Sequence, residues 1–230
     1  MAKLIIAGVI SAIISYLLGS CNSSIIVVRL LKHEDVREHG SKNAGLTNTL
    51  RCYGKIPALF TLVGDLAKGV ISVLLSILVF HIMIGEGSFD RQTVGYISGI
   101  FAILGHIFPI YYGFRGGKGV LVACSILLVI DWQTFVIIIP FFAVVLLISK
   151  YVSVASISSA VFYPVLTFLL HYFLQHEPLN NCIVHTALVA VTSALLIYMH
   201  RTNIQRLKNG TENKFIKKKT PTEPKEDNNG

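Results

Sequence analysis

Charge is what this sequence has least of. Asp, Glu, Lys and Arg make up 14% of its 230 residues, where soluble domains carry about 25%, and that excludes a water-soluble globular domain. Acidic residues are the scarcer half: 12 of them against 20 Lys and Arg leave a formal net charge of +8 and a pI near 9.4. Cysteine is also sparse. The four, at positions 21, 52, 124 and 182, stand singly with no Cys-x-x-Cys pair, which argues against a disulfide framework or a metal site and predicts small buried hydrophobes. There is no internal repeat and no Gly-x-x-x-x-Gly-Lys-[Ser/Thr] string, so a P-loop is excluded. No small-residue cleavage site follows the first apolar run, which is therefore expected to remain as a helix rather than leave as a signal peptide.

What is abundant is apolar sequence: 53% of residues are hydrophobic and mean hydropathy is +0.65. An all-α integral membrane protein follows. The runs Leu4–Val28, Ile56–Ile84, Thr93–Tyr112, Val154–Leu174 and Ile183–Met199 each read as one span, the first measuring about 37 Å against a hydrocarbon core of about 30 Å. Residues 119–149 as one helix would measure about 46 Å, and Asp131-Trp132-Gln133 interrupts them, so a short helix pair is predicted. Seven transmembrane helices result. Lys32, Arg37, Lys42, Arg51, Lys55, Arg115, Lys118, Lys150 and the basic C-terminal segment fall on one side of this layout, with Lys3 and Arg91 on the other. By the positive-inside rule the N-terminus is outside and the C-terminus cytoplasmic. Because the cations lie between apolar runs rather than on one soluble face, topology and not nucleic acid explains them. Residues 1–216 form the membrane domain, and 217–230, polar and without apolar residues, a disordered tail.

Three donor-rich segments fall on the inner side. Arg115-Gly116-Gly117-Lys118-Gly119 opens an apolar run, an arrangement that would aim amides, a helix dipole and two cations at one spot, as a phosphate prefers. A flexible loop kept positive for orientation is the simpler alternative. The segment His39–Arg51 holds Ser41, Lys42, Asn43, Gly45, Thr47, Asn48 and Arg51 with no acidic residue; it suits an anion, or is a turn capping the next helix. Asp65 and Lys68, three apart on one helical face, pair with each other or meet a ligand. Gly19–Ser24 is a polar island read as small-residue helix packing. His200 and Asn203 would share a face if the chain beyond the last span is helical, with Arg206 close by; a basic stop-transfer flank is the alternative. Glu86, Asp90, Arg91, Asp131 and Glu177 sit on the other side in short connections. Polar chemistry gathered at one surface favours an enzyme acting on a lipid, with the acyl chain between helices, and a transporter of phosphate esters or anions is the alternative.

At these residues the chain resembles the bacterial acyl-phosphate:glycerol-3-phosphate acyltransferases, the PlsY family, over about residues 4 to 216. The likeness is carried by Gly105-His106-x-Phe108-Pro109 through Phe114-Arg115-Gly116-Gly117-Lys118-Gly119-Val120, by His200-Arg201-x-Asn203-Ile204-x-Arg206-Leu207 with Gly210-Thr211-Glu212, and by Ser41, Asn43, Gly45, Thr47, Asn48, Leu50 and Arg51. The chain departs at Lys42, Ala44 and Leu46, where glycine, proline and alanine are usual, and at Cys21-Asn22, where Ile-Pro is. Lys42 in place of glycine would cost about 1–2 kcal/mol if its backbone is left-handed.

The resemblance implies transfer of a fatty acyl group from acyl phosphate to the sn-1 hydroxyl of glycerol 3-phosphate, giving lysophosphatidic acid in the bacterial cytoplasmic membrane, with the site facing the cytoplasm. No cofactor, metal or obligate protein partner is implied. No histidine has aspartate five residues on, so the His-x-x-x-x-Asp pair of soluble-type glycerophosphate acyltransferases is missing. Position and electrostatics are therefore expected to do the work, with a substrate phosphate as base. The 116–119 amides, Lys118 and Arg115 would hold the acyl phosphate. Ser41, Asn43, Gly45, Thr47, Asn48, Arg51, His200, Asn203 and Arg206 would hold glycerol 3-phosphate, with Lys68 and His106 as further contacts and His106 or His200 as the alternative base.

Overall fold

The computed structural model describes residues 1–215; the expected tail at 217–230, and the end of the domain at 216, lie outside them. All regular structure among the described residues is helical. Helices α1 (Ala2–Ser20) and α2 (Ser23–Lys32) replace the single run expected over Leu4–Val28. Asn22 makes the break. Its side-chain oxygen accepts from the Ile25 amide at 3.2 Å and the Ser24 hydroxyl at 3.0 Å, starting α2 afresh. Helix α3 (Leu46–Tyr53), not anticipated, lies in the first inner segment and is followed by α4 (Lys55–Ile84) and α5 (Arg91–Ile107). The pair expected at 119–149 is present as α6 (Val120–Ile130) and α7 (Trp132–Ser149). Asp131 ends one and caps the other, accepting from the Thr134 amide at 3.2 Å. Then come α8 (Val152–Leu169), a π turn at Leu170–Leu174, α9 (Leu179–Met199) and α10 (Arg201–Lys208).

Among the described residues, six segments are long and apolar enough to cross a membrane: 2–32, 55–84, 91–112, 132–149, 152–174 and 179–199. Helix α6, at 11 residues, reaches only about 16 Å. It is well shielded, with Val122, Ala123, Ile126 and Leu127 buried against Val73, Ile103, Ala160 and neighbouring residues. At the other extreme α7 buries only Thr134 and Ile138 and leaves Leu147 and Ile148 more than three-quarters exposed, a surface that belongs in lipid.

Close packing of α1 on α5 rests on glycine. A Cβ on Gly19 would stand 2.1 Å from the Ala102 carbonyl oxygen, and one on Gly105 2.2 Å from that of Tyr16, so neither backbone could approach if these residues were larger. The polar island thus does pack through a small residue, while its Asn22 serves as a cap. The cysteines correct the expectation of burial: all four are free, only Cys182 is buried, and Cys21 and Cys52 are exposed.

Candidate active site

The residues that build the site come from segments far apart in sequence. Ser41, Asn43, Gly45, Thr47, Asn48 and Arg51 from the α2–α3 segment, Lys118 and Gly119 before α6, and His200, Asn203 and Arg206 after α9 line one cavity of about 310 Å³. Ser153, Ser156, Asp65 and Glu212 complete its polar wall. A second cavity of about 280 Å³ lies between α6, α7 and α8, lined by Cys124, Leu127, Ile138, Ile139, Ala160, Tyr163 and Leu196 among others, and is almost wholly apolar. The two share Val120, Leu121, Phe142 and Ser156 as walls. A charged group and an acyl chain of one molecule could therefore occupy the two together.

The first segment owes its shape to Asn48. Its side-chain oxygen accepts from the Ser41 amide at 2.9 Å, and its nitrogen donates to the carbonyls of His39 at 3.0 Å and Val36 at 3.1 Å. Asn48 thus spends its hydrogen bonds on the loop, leaving Ser41, Asn43, Thr47 and Arg51 as the groups free to meet a ligand. Lys42, exposed, takes φ of 59°, the left-handed backbone in which glycine is unstrained. Asn22 reaches into the same loop, its amide donating to the Ala44 carbonyl at 3.4 Å.

Part of the expected phosphate cradle is corrected. The amides of Gly116 and Gly117 donate to the carbonyls of Ile107 at 3.0 Å and His106 at 3.1 Å, so they are committed to the fold. The Arg115 side chain is exposed and outside the cavity wall, while its carbonyl accepts from Arg37 at 3.1 Å. Gly117 is needed for contact: a Cβ would lie 2.1 Å from His106 Nε2 and 2.4 Å from the Ala44 carbonyl oxygen. What faces the cavity is the Lys118 side chain, Gly119 in a left-handed conformation (φ 85°) and the first turn of α6, whose unpaired amides and positive dipole end have the polarity that suits an anion.

Lys68 and His106 are likewise placed behind the wall. The Lys68 ammonium forms an ion pair with Asp65 Oδ1 at 2.9 Å and donates to His106 Nδ1 at 2.8 Å and the Cys21 carbonyl at 3.2 Å. Of the two roles left open for Asp65 and Lys68, pairing is the one observed.

At the other end, α10 is helical and brings Asn203 to Lys118. The ammonium donates to the Asn203 side-chain oxygen. The Asn203 amide nitrogen, Arg206 Nε and Ser153 Oγ donate to Glu212 at 2.7, 2.7 and 2.8 Å. Burial alone would raise the Glu212 carboxyl; the hydrogen bonds from Arg206, Asn203 and Ser153 outweigh it and hold the group below the usual carboxylate range. Lys118 is pushed down to about 8 by burial and by Arg206 and Arg51, against the pull of Glu212. His200 is pushed down to about 4 by burial and Lys118. Its Nδ1 donates to the Leu196 carbonyl at 2.8 Å, leaving a bare lone pair on Nε2. Glu212 belongs to the motif that follows α9, yet the sequence assigns it no role, because a lone glutamate in a basic segment says nothing about what it reaches.

A cationic pocket joined to an apolar one matches what comparison with known proteins finds. The glycerol-3-phosphate acyltransferase family model matches residues 9–210. The chain belongs to this family. A relative named glycerol-3-phosphate acyltransferase from Coxiella burnetii is 38% identical over 208 residues, covering 90% of this chain and 98% of that one. One from Lactiplantibacillus plantarum is 38% identical over 205 residues, covering 89% and 90%. Among solved structures, the glycerol 3-phosphate form of PlsY (YgiH), an integral membrane glycerol 3-phosphate acyltransferase, aligns with a TM-score of 0.75 at 31% identity, covering 91% of this chain and 96% of that one. Its lysophosphatidic acid form aligns at 0.72 and 29%, covering 90% and 94%. The protein is thus an integral membrane acyltransferase, and the alternative of a transporter is set aside.

Proposed function

We propose that this acyltransferase moves a fatty acyl group from acyl phosphate to the sn-1 hydroxyl of glycerol 3-phosphate, giving lysophosphatidic acid and inorganic phosphate. The observation that carries the reading is the pair of cavities sharing the wall at Val120, Leu121, Phe142 and Ser156: one end is built for phosphate, the other for hydrocarbon. The glycerol 3-phosphate and lysophosphatidic acid forms of PlsY agree with a substrate and a product of this kind. Residues 1–216 act as one membrane unit in the bacterial cytoplasmic membrane. Helix α6 supplies the seventh crossing, shortened and shielded by its neighbours, with the N-terminus outside and the C-terminus and cavity facing the cytoplasm. The basic loops at the cavity end support that orientation.

Lys118 and the first turn of α6 hold the acyl-phosphate phosphoryl group and stabilise the charge it gains on leaving. Ser41, Asn43, Thr47 and Arg51 with His200 and Arg206 hold glycerol 3-phosphate; Asn203 fixes the Lys118 ammonium, and Asn48 and Gly45 shape the loop. The hydroxyl oxygen bonds to the acyl carbon, the bond between the acyl carbon and the bridging oxygen breaks so that this oxygen leaves with the phosphate, and the hydroxyl proton passes to a phosphate oxygen. A phosphate monoester, with its second pKa at about 6, is the stronger base here, because His200 is pushed down to about 4 and His106 is committed to Lys68. Holding both reactants in line is worth about 7–11 kcal/mol of barrier.

The test uses purified protein in a bilayer with glycerol 3-phosphate and, in turn, acyl phosphate, acyl-CoA and acyl-carrier protein. Lysophosphatidic acid and phosphate in equal amounts from acyl phosphate alone is the expected outcome; equal rates from acyl-CoA would overturn the donor assignment. His200→Gln losing less than about 100-fold in kcat supports a phosphate base, and a larger loss with KM unchanged favours the histidine.

A further inference from the structure

At the end of the bundle away from this cavity, two histidines and a glutamate meet. His171 Nδ1 and His185 Nδ1 are 3.1 Å apart, and Glu177 Oε2 lies 3.2 Å from the first and 3.1 Å from the second. Both imidazoles are wholly buried, and the Glu177 side chain is 18% exposed, open to solution on one edge. The other nitrogen of each ring is already assigned. His171 Nε2 lies 3.2 Å from the Asp131 carboxylate and His185 Nε2 2.7 Å from that of Asp90. A carboxylate only accepts, so both Nε2 atoms carry the proton and donate.

That assignment leaves each neutral ring with its Nδ1 lone pair directed at the same point as a carboxylate oxygen that has no hydrogen-bond partner. Three buried electron pairs at this spacing repel one another and call for a cation between them. Tetrahedral zinc, with bonds of about 2.0–2.2 Å, sets its ligand atoms about 3.3 Å apart, and two imidazole nitrogens with one carboxylate oxygen are its common ligands when one position stays open. A ligating histidine that donates its far nitrogen to a carboxylate is also the arrangement that orients such rings and raises their basicity, and it occurs here twice. The backbone contributes: the π turn at Leu170–Leu174 carries His171, and the Glu177 amide donates to the His171 carbonyl at 3.0 Å, folding the chain so that both side chains face α9.

We propose that His171, Glu177 and His185 bind one zinc ion or a divalent metal of similar coordination chemistry, with Asp131 and Asp90 as positioning residues. The ion joins the π turn and α9 to the starts of α5 and α7, at a place remote from the acyl-transfer residues. This inference does not depend on the identity of the acyl donor.

Untagged protein in detergent, stripped with a chelator and re-equilibrated with zinc chloride, would be desalted and its zinc per chain measured, alongside thermal unfolding with and without the metal. About one equivalent in the wild type, with a higher unfolding midpoint, is expected. Glu177→Gln and the double variant His171→Gln/His185→Gln should lose the bound zinc and the thermal shift, and Asp131→Asn should weaken binding about 10–100-fold. Wild-type protein that retains no zinc and shows no shift would reduce the cluster to a protonated ion-pair network and overturn the proposal. So would undiminished binding in Glu177→Gln, a change in a connection that leaves both histidines in place.

Discussion

The Lys118 ammonium donates to the side-chain oxygen of Asn203, 85 residues further along the chain, and through the nitrogen of that same amide reaches Glu212 at 2.7 Å. One carboxamide thus ties the loop before α6 to α10 and to the segment after it, and fixes where the cavity's half-buried cation points.

The lysine sets a pH limit. With Lys118 at about 8 in the free protein, kcat/KM at saturating second substrate should fall as pH rises through about 8, and Lys118→Arg should move that fall well upward. Unfolding is not the cause. Between about 8 and the ordinary lysine value of 10.5 the unfolded chain binds more protons here than the folded one, so this group makes the fold more stable as pH rises. A falling rate with an unchanged or rising unfolding midpoint is the expected signature.

Gly117→Ala should destabilise the fold. Its Cβ would sit 2.1 Å from His106 Nε2 and 2.4 Å from the Ala44 carbonyl oxygen, one a buried ring held by Lys68 and the other backbone, so relief requires moving the first loop. A loss of about 1–3 kcal/mol, the usual cost of overpacking, should be read as a lower unfolding midpoint and lost activity. Gly8→Ala, with nothing within 4 Å of the new atom, is the control and should be neutral or slightly stabilising.

Lys42→Gly should stabilise the protein. The residue is exposed with φ of 59°, and relief of left-handed strain, less the extra chain entropy of glycine, leaves about 0.5–1 kcal/mol. Thermal unfolding of the two proteins side by side measures it.

Chain-length choice should follow the apolar cavity. Ala160 is buried and lines it beside Leu127, Tyr163 and Leu196. Ala160→Phe should lower turnover with long-chain donors at least about 10-fold relative to short ones, without altering KM for glycerol 3-phosphate. Equal effects on all donors would place the chain elsewhere.

How much of this could be read in the sequence depends on the distance over which each feature is decided. The break at Asp131 was legible because length and polarity are local, as was the association of Ser41, Lys118 and Asn203 through resemblance. The split at Asn22 was not, since a carboxamide inside an apolar run shows neither which amide it caps nor that it reaches Ala44. The glycine loop misled for a similar reason: Gly116 and Gly117 carry the composition of a phosphate cradle, yet their amides close onto Ile107 and His106. Asp90, Asp131 and Glu177 looked unremarkable in short connections, and His171 and His185, fourteen apart, match no metal-ligand spacing; a π turn and tertiary contact bring them together.

The most direct measurement is the kinetics of Lys118→Ala with acyl phosphate and glycerol 3-phosphate, on protein whose unfolding midpoint matches the wild type. The account predicts a fall in kcat/KM for acyl phosphate of at least about 100-fold, the scale set by removing one group that stabilises charge in the transition state. A variant within about threefold of wild type would contradict it.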